Sequence, residues 1–320
     1  MRRAAALAFI PLLAAVAVAG CGSSSSSKPA AASSSDTYKS VSVTGTFGKA
    51  PTVTIPKVKG SGTLYTKTLI QGTGAKLTSA EGMIGNYVAY DWSGTTSKLL
   101  SSTYTQGTPS MFVGPVITGV EQAIVGQKVG SRVLAVIPPA DGFGSTGASQ
   151  EGIGATDTLV FVIDIQSTFN AVTVPGAQTY TGGGALPTVV APASSTAGPT
   201  LKIPTKTTPP KTLQVKTVIK GKGAVVKKGD ELAVQYNGYI WRTGQSFQSS
   251  WSTPNDAQPI EIGEGQVIPG WDTGLVGQTV GSRVLLVIPP ADGYGSAGQA
   301  QAGIKGTDTL VFAVDILAAT

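Results

Sequence analysis

In the second half of the chain apolar and polar residues alternate in short runs, the two-residue period of a half-buried strand. Leu232, Val234 and Tyr236 fall on one face of such a strand. Leu310, Phe312, Val314 and Ile316 fall on one face of another, with Val311, Ala313 and Asp315 opposite, which predicts a sheet buried on one side. Val284 to Ile288 is continuously apolar and runs into Pro289-Pro290, so it predicts a central strand that stops abruptly. The one helix predicted, Pro269 to Val276 and stopped by Gly277, is too short to stand alone and has to pack on the sheet. Together these elements describe an α+β domain, a strongly curved antiparallel sheet wrapped on one short α-helix.

The pattern occurs twice. Gly126 to Ser145 reads GQKVGSRVLAVIPPADGFGS and Gly277 to Ser296 reads GQTVGSRVLLVIPPADGYGS, 17 matches in 20 at an offset of 151. Thr156 to Phe161 recurs as Thr307 to Phe312 at the same offset, and Ala50-Pro-Thr-Val-Thr-Ile-Pro56 echoes Gly198-Pro-Thr-Leu-Lys-Ile-Pro204. Two copies of this length predict tandem domains, residues 43–168 and 197–320, because a solenoid needs shorter and more numerous units. The stretch 165–201 has no charged residue and carries Gly182-Gly183-Gly184 with Pro175, Pro187, Pro192 and Pro199, so residues 169–196 are expected to be a Gly/Pro linker.

Composition narrows the chemistry. With no histidine and one cysteine in 320 residues, a histidine-based triad, a histidine metal cluster and a disulfide framework are all excluded. No nucleophile–base pair has a supporting motif, which leaves a hydrolase without a candidate site. The formal charge of +6 is mild, and without interleaved aromatics it does not point to nucleic acid. From Lys202 to Lys228 there are eight lysines and no acid. Such a run either docks on an anionic polymer or lipid, or is a solvated strand face.

The cysteine sits at the N-terminus. Arg2 and Arg3 precede the apolar stretch Ala4 to Ala19, which is too short to span a bilayer and reads as an export signal over residues 1–20. Its end, Val18-Ala19-Gly20-Cys21, resembles the bacterial lipobox, which implies a lipid on Cys21 and firm attachment to the cell membrane on its extracytoplasmic side. The alternative is an ordinary cleavable signal, since Ala17-Val18-Ala19 also fits an A-x-A site. Residues 21–42, with Ser23 to Ser27 followed by alanines and Pro29, read as a flexible tether.

Four motifs of the second repeat carry a wider likeness. Val234-Gln-Tyr236-Asn-Gly238, Gly265-Gln-Val267-Ile268-Pro-Gly-Trp271, Ile288-Pro-Pro290 through Tyr294-Gly295, and Thr309-Leu-Val-Phe312 resemble, in order and spacing, the FKBP-type peptidyl-prolyl cis/trans isomerases. The resemblance covers nearly all of residues 213–320, and about 62–168 resembles the same family in eroded form. It implies two FKBP-like domains and no cofactor. Trp271 would floor a proline pocket walled by Tyr236, Phe247, Val267, Ile268 and Phe312. Tyr294 and the Ile268 N–H would donate to substrate carbonyls, and Ile304 would close one side. The partners implied are proline-containing segments of exported proteins and macrolide inhibitors.

The second repeat departs from the family at Phe247-Gln248, where an aspartate usually follows the phenylalanine, and at Pro259-Ile-Glu-Ile262, where aromatics are common. In the first repeat Tyr236 is expected to match Tyr90, Phe247 to match Leu100, Trp271 to match Val120 and Tyr294 to match Phe143. That erosion predicts an inactive first domain, acting as a spacer or a weak peptide-binding module. Two function classes stay open: an isomerase assisting exported proteins, with its activity in the second domain, and a non-catalytic chaperone or cell-surface binding module.

Overall fold

The computed structural model describes residues 36–60, 62–113, 116–176, 178–194, 197–252 and 257–320. The expected signal, Cys21 and the expected tether as far as residue 35 lie outside the described residues.

The first repeat opens with a small hairpin, β1 (Ser42–Thr44) and β2 (Thr52–Thr54). A six-stranded antiparallel sheet follows: β3 (Tyr65–Ile70), β4 (Glu81–Ser93), β5 (Thr96–Ser102), β6 (Ser110–Phe112), β7 (Arg132–Ile137) and β8 (Thr158–Asn170). Its spatial order is β3-β7-β8-β4-β5, with β6 pairing the other half of the β4 edge. Two helices lie in the connections, the single turn α1 (Thr103–Gln106) and α2 (Thr118–Ile124).

The second repeat has the same plan. Its hairpin is β9 (Thr188–Val190) with β10 (Thr200–Lys202). Its sheet holds β11 (Gln214–Ile219), β12 (Glu231–Ile240), β13 (Ser246–Ser249), β14 (Gln258–Glu261), β15 (Arg283–Ile288) and β16 (Leu310–Ala319), in the order β11-β15-β16-β12-β13 with β14 on β12. The helix α3 (Pro269–Leu275) starts with proline at its first position, where a missing N–H costs nothing. It can lie flat on the sheet because a Cβ at Gly270 would stand 2.6 Å from Ile288. The α+β class and the doubled architecture are therefore those the sequence pattern implies.

The predicted one-sided burial is not what the molecule has. On the concave face, Leu232, Val234, Leu310, Phe312, Val314 and Ile316 pack on Trp271 and Leu275 of α3, as the alternation requires. The convex face is buried as well: Leu285, Val287, Val311, Ala313 and Trp241 are covered by Val189 and Leu201 of the β9–β10 hairpin. In the first domain Val41, Val43 and Val53 cover Leu134, Val136, Val160 and Val162 in the same way. Both central strands are thus sandwiched, which explains their continuous apolar runs. The segment expected as linker, 169–196, contains the end of β8 and all of β9. The tether's last residues also pack, with Val41 buried and Ser42 opening β1.

Each convex face also holds a buried ion pair. Arg132 Nε and Nη2 donate to Asp164 at 2.6 and 2.7 Å, and Arg283 Nε and Nη2 donate to Asp315 at 2.6 and 2.8 Å. Such pairs survive burial only when their remaining lone pairs are satisfied. Asp164 accepts further bonds from Tyr104 Oη and the Gly48 N–H, while Asp315 accepts from Thr173 Oγ1 and the Val174 N–H. Burial, and then the bond to Asp164, raises the pKa of Tyr104.

Candidate active site

In the second domain four rings meet on the concave face. Trp271, carried on α3, is met edge-on by Tyr236 at 5.1 Å between centroids and by Phe312 at 5.3 Å. Phe247 meets Phe312 edge-on at 5.7 Å. Edge-to-face is a favoured geometry for aromatic pairs and adds to the apolar area they bury. Tyr236 comes from β12 and Phe312 from its neighbour β16, where Tyr236 pairs with Val314. Phe247 reaches the same face because it is the extra residue of a bulge between Gln248, opposite Gly238, and Ser246, opposite Tyr239. Gly238 makes the approach possible: a Cβ there would stand 2.7 Å from the Phe247 ring and 2.8 Å from the Phe312 ring.

Val267 and Ile268 pack against this cluster from the loop entering α3, and buried Ile304 closes it from the loop before β16. Asp272, in the first turn of α3, accepts the N–H groups of Gly263 and Gly265 at 2.7 and 2.8 Å and so fixes that loop. Its part was not anticipated, although an acid in a first helical turn behind Gly-x-Gly is a legible sign of such a brace. Among the described residues no carbonyl accepts the Ile268 N–H, which leaves that donor for another acceptor. Tyr294 stands apart from the cluster, 36% exposed in a tight turn before Gly295. Gln248 is likewise exposed, at the edge strand beside Phe247.

The first domain corrects one expected match. Tyr87, not Tyr90, is the counterpart of Tyr236, because Tyr87 pairs with Ile163 as Tyr236 pairs with Val314. Tyr90, three residues on, falls on the opposite face and packs in the convex cluster. Leu100 is the bulge residue between Leu99 and Ser101, matching Phe247, and Val120 lies in α2 where Trp271 lies in α3. The space is not left open. Phe112 of β6, at the ladder position of Ile260, meets Tyr87 edge-on at 5.6 Å, and Tyr87 packs on Phe161 at 5.8 Å. Both Tyr87 and Phe112 are buried, so the first pocket is filled by its own side chains.

Below the first pocket lies a second difference. Asp157 accepts the Gly154 N–H at 2.7 Å and faces Asp91, so burial and then the neighbouring Asp157 charge raise the pKa of Asp91. In the second domain the corresponding Asp308 accepts both Arg242 nitrogens at 2.8 and 2.9 Å, and those bonds hold its pKa down.

A curved sheet closed on a short helix, with four aromatic rings, apolar walls and the Ile268 N–H beside them, defines a domain with one small apolar site on its concave face. Residues 79–166 and 223–317 each match the FKBP-type peptidyl-prolyl cis-trans isomerase family, more than half of the chain, and the protein belongs to that family. It is 38% identical over 106 residues to the FK506-binding protein of Streptomyces anulatus, covering 33% of this chain and 85% of that protein. It is 48% identical over 89 residues to FK506-binding protein 2B of Rhizopus delemar, 28% of this chain but 42% of that longer relative. The crystal structure of the three FKBP domains of wheat FKBP73 is 19% identical, covers 80% of this chain and 94% of that one, and aligns with a TM-score of 0.31.

Proposed function

We propose that this chain is a membrane-anchored, extracytoplasmic prolyl isomerase whose activity resides in the second domain. An X-Pro amide interconverts slowly because a barrier of about 18–20 kcal/mol protects its partial double bond. No covalent bond has to break. Stabilising the twisted amide needs a dry pocket that grips the pyrrolidine ring and donors that hold the flanking carbonyls. The Trp271 floor with Tyr236, Phe247, Val267, Phe312 and Ile304 supplies the first, and the Ile268 N–H with the Tyr294 hydroxyl supplies the second. The observation that carries the assignment is the difference between the domains: an indole floors one pocket, whereas Phe112 fills the other.

Folding of exported proteins is the task that fits. Prolyl isomerisation limits many folding reactions, and an enzyme tethered through Cys21 would act where chains emerge from the membrane. The same pocket surface is where macrolide inhibitors would compete with proline peptides. The full chain is expected to accelerate a proline-limited peptide isomerisation. Failure to do so would favour the non-catalytic binding module. Cys21→Ser is expected to move the protein from the membrane to the soluble fraction, and retention in the membrane would overturn lipid anchoring at Cys21.

A further inference from the structure

The strand that carries the second pocket is gripped from behind. Gln235 and Asn237 flank Tyr236 on β12 and face the convex side, where Gln235 Nε2 donates to the Ala171 carbonyl at 3.2 Å and Asn237 Nδ2 donates to the Pro199 carbonyl at 2.6 Å. Trp251 lies in the turn Ser250–Ser252 that follows β13, and its Nε1 donates to the Val172 carbonyl at 2.7 Å. A Cβ at Gly198 would stand 2.4 Å from the Trp251 ring, so backbone lies flat against the indole. Between these two grips sits buried Ser250, which accepts the Tyr236 N–H at 2.8 Å and donates to Gln235 Oε1. A continuous set of bonds therefore runs from residues 171–172, in the segment joining the repeats, and from residues 198–199, just before β10 in the second repeat's hairpin, to Tyr236 on one side and to β13 with Phe247 and Gln248 on the other.

The first domain keeps the middle link, with Thr103 Oγ1 accepting the Tyr87 N–H at 2.9 Å and donating to Asn86 Oδ1 at 3.1 Å, but among the described residues it lacks the grips behind that link. At the place of Trp251 it has Tyr104, whose hydroxyl turns to Asp164, and at the place of Asn237 it has the apolar Val88. The second domain gives the corresponding bond on Asp315 to Thr173 of the joining segment, which leaves its own loop residue free to hold that segment. This is an added contact, not one the sheet requires.

We propose that Trp251 and Gln235 are positioning residues through which the joining segment sets the placement of β13, and hence of the Phe247 wall, in the second pocket. The proposal rests on the second pocket being the active one. Removing one hydrogen bond of this kind alters an equilibrium by about fivefold. Trp251→Phe keeps an aromatic ring near Gly198, removes the Nε1 donor and gives up part of the indole's area. In the full chain it is expected to raise KM for a proline peptide about three- to tenfold while kcat stays within twofold. Gln235→Met is expected to act in the same direction. A lowered melting temperature with KM unchanged would mean a purely structural role and would overturn the proposal, as would no change in either. Amide hydrogen exchange at residues 246–249 supplies the arm that does not need activity. It is expected to quicken in Trp251→Phe, and unchanged exchange there overturns the positioning role. A wild-type chain inactive in the same assay would count against the functional reading, and the exchange arm would still decide the coupling.

Discussion

The indole of Trp271 meets the ring of Tyr236 edge-on, 5.1 Å apart, and that single contact separates the two pockets. In the first domain the helix offers Val120 at that place, and the edge-on partner of Tyr87 is Phe112, which comes from strand β6 at the ladder position of Ile260.

Trp271→Val turns the floor of the second pocket into that of the first without supplying the filling aromatic, since Ile260 stays in place. The variant loses the broad face under the proline ring and gains a void. Its kcat/KM is expected to fall about 10- to 100-fold, roughly 1.4–2.8 kcal/mol of transition-state stabilisation. Circular dichroism should still report a folded chain. Unchanged kcat/KM would show that the indole does not floor the pocket.

Phe112→Ala tests the other half of the comparison. Phe112 is buried among Tyr87 and Phe161, and truncating such a ring typically costs about 3–5 kcal/mol. Calorimetry is expected to show an earlier unfolding transition for the first domain. Isomerase activity measured below that transition should stay within twofold of wild type. A large loss of activity would place catalysis in the first domain.

Much of this was legible in the sequence because strand alternation reports faces directly. Leu310, Phe312, Val314 and Ile316 line the concave core, and Pro269 does open the helix. Alternation reports faces but not what covers them, so the convex cover stayed hidden until the hairpins were seen to fold back on Leu285, Val287 and Leu134. The missed match of Tyr87 has a related cause. The spacing between repeats is 151 at β8 and β16 but 149 at β4 and β12, and an error of three residues moves a strand residue to the other face. Phe112 was missed because it meets Tyr87 from β6, the ladder position of Ile260, and not from the helix that carries Trp271, so comparing Trp271 with Val120 alone does not find it.

Asp315 ties the second sheet to the joining segment as well as to Arg283. Asp315→Asn keeps the shape of the side chain but leaves the Arg283 guanidinium uncompensated in a site with no solvent exposure. Breaking a buried pair in this way typically costs about 3–5 kcal/mol. The full chain is expected to unfold at a lower denaturant concentration, and the amides of residues 172–174 to exchange faster because Thr173 and Val174 lose part of their acceptor. Equal stability would show that the pair contributes nothing net at this position.

The Asp91–Asp157 pair gives the two domains different responses to pH. Asp91 is buried and faces a second carboxylate, with Lys98 across the strand as the opposing positive charge, and its pKa is raised above the ordinary carboxylate value. A raised folded-state pKa means that the folded chain holds this proton more tightly than the unfolded chain does. The stabilising contribution is then full below the unfolded value of about 3.9 and is lost as pH rises through the folded value. Asparagine does not titrate. Asp91→Asn is therefore expected to be more stable than wild type at pH 7–8, with the advantage shrinking as pH falls toward the carboxylate range. Comparing variant and wild type at each pH cancels the titrating groups that do not interact with Asp91. A constant difference from pH 8 to pH 4 would show that Asp91 keeps an ordinary pKa, and a variant less stable at pH 8 would show that its ionised carboxylate stabilises the first domain.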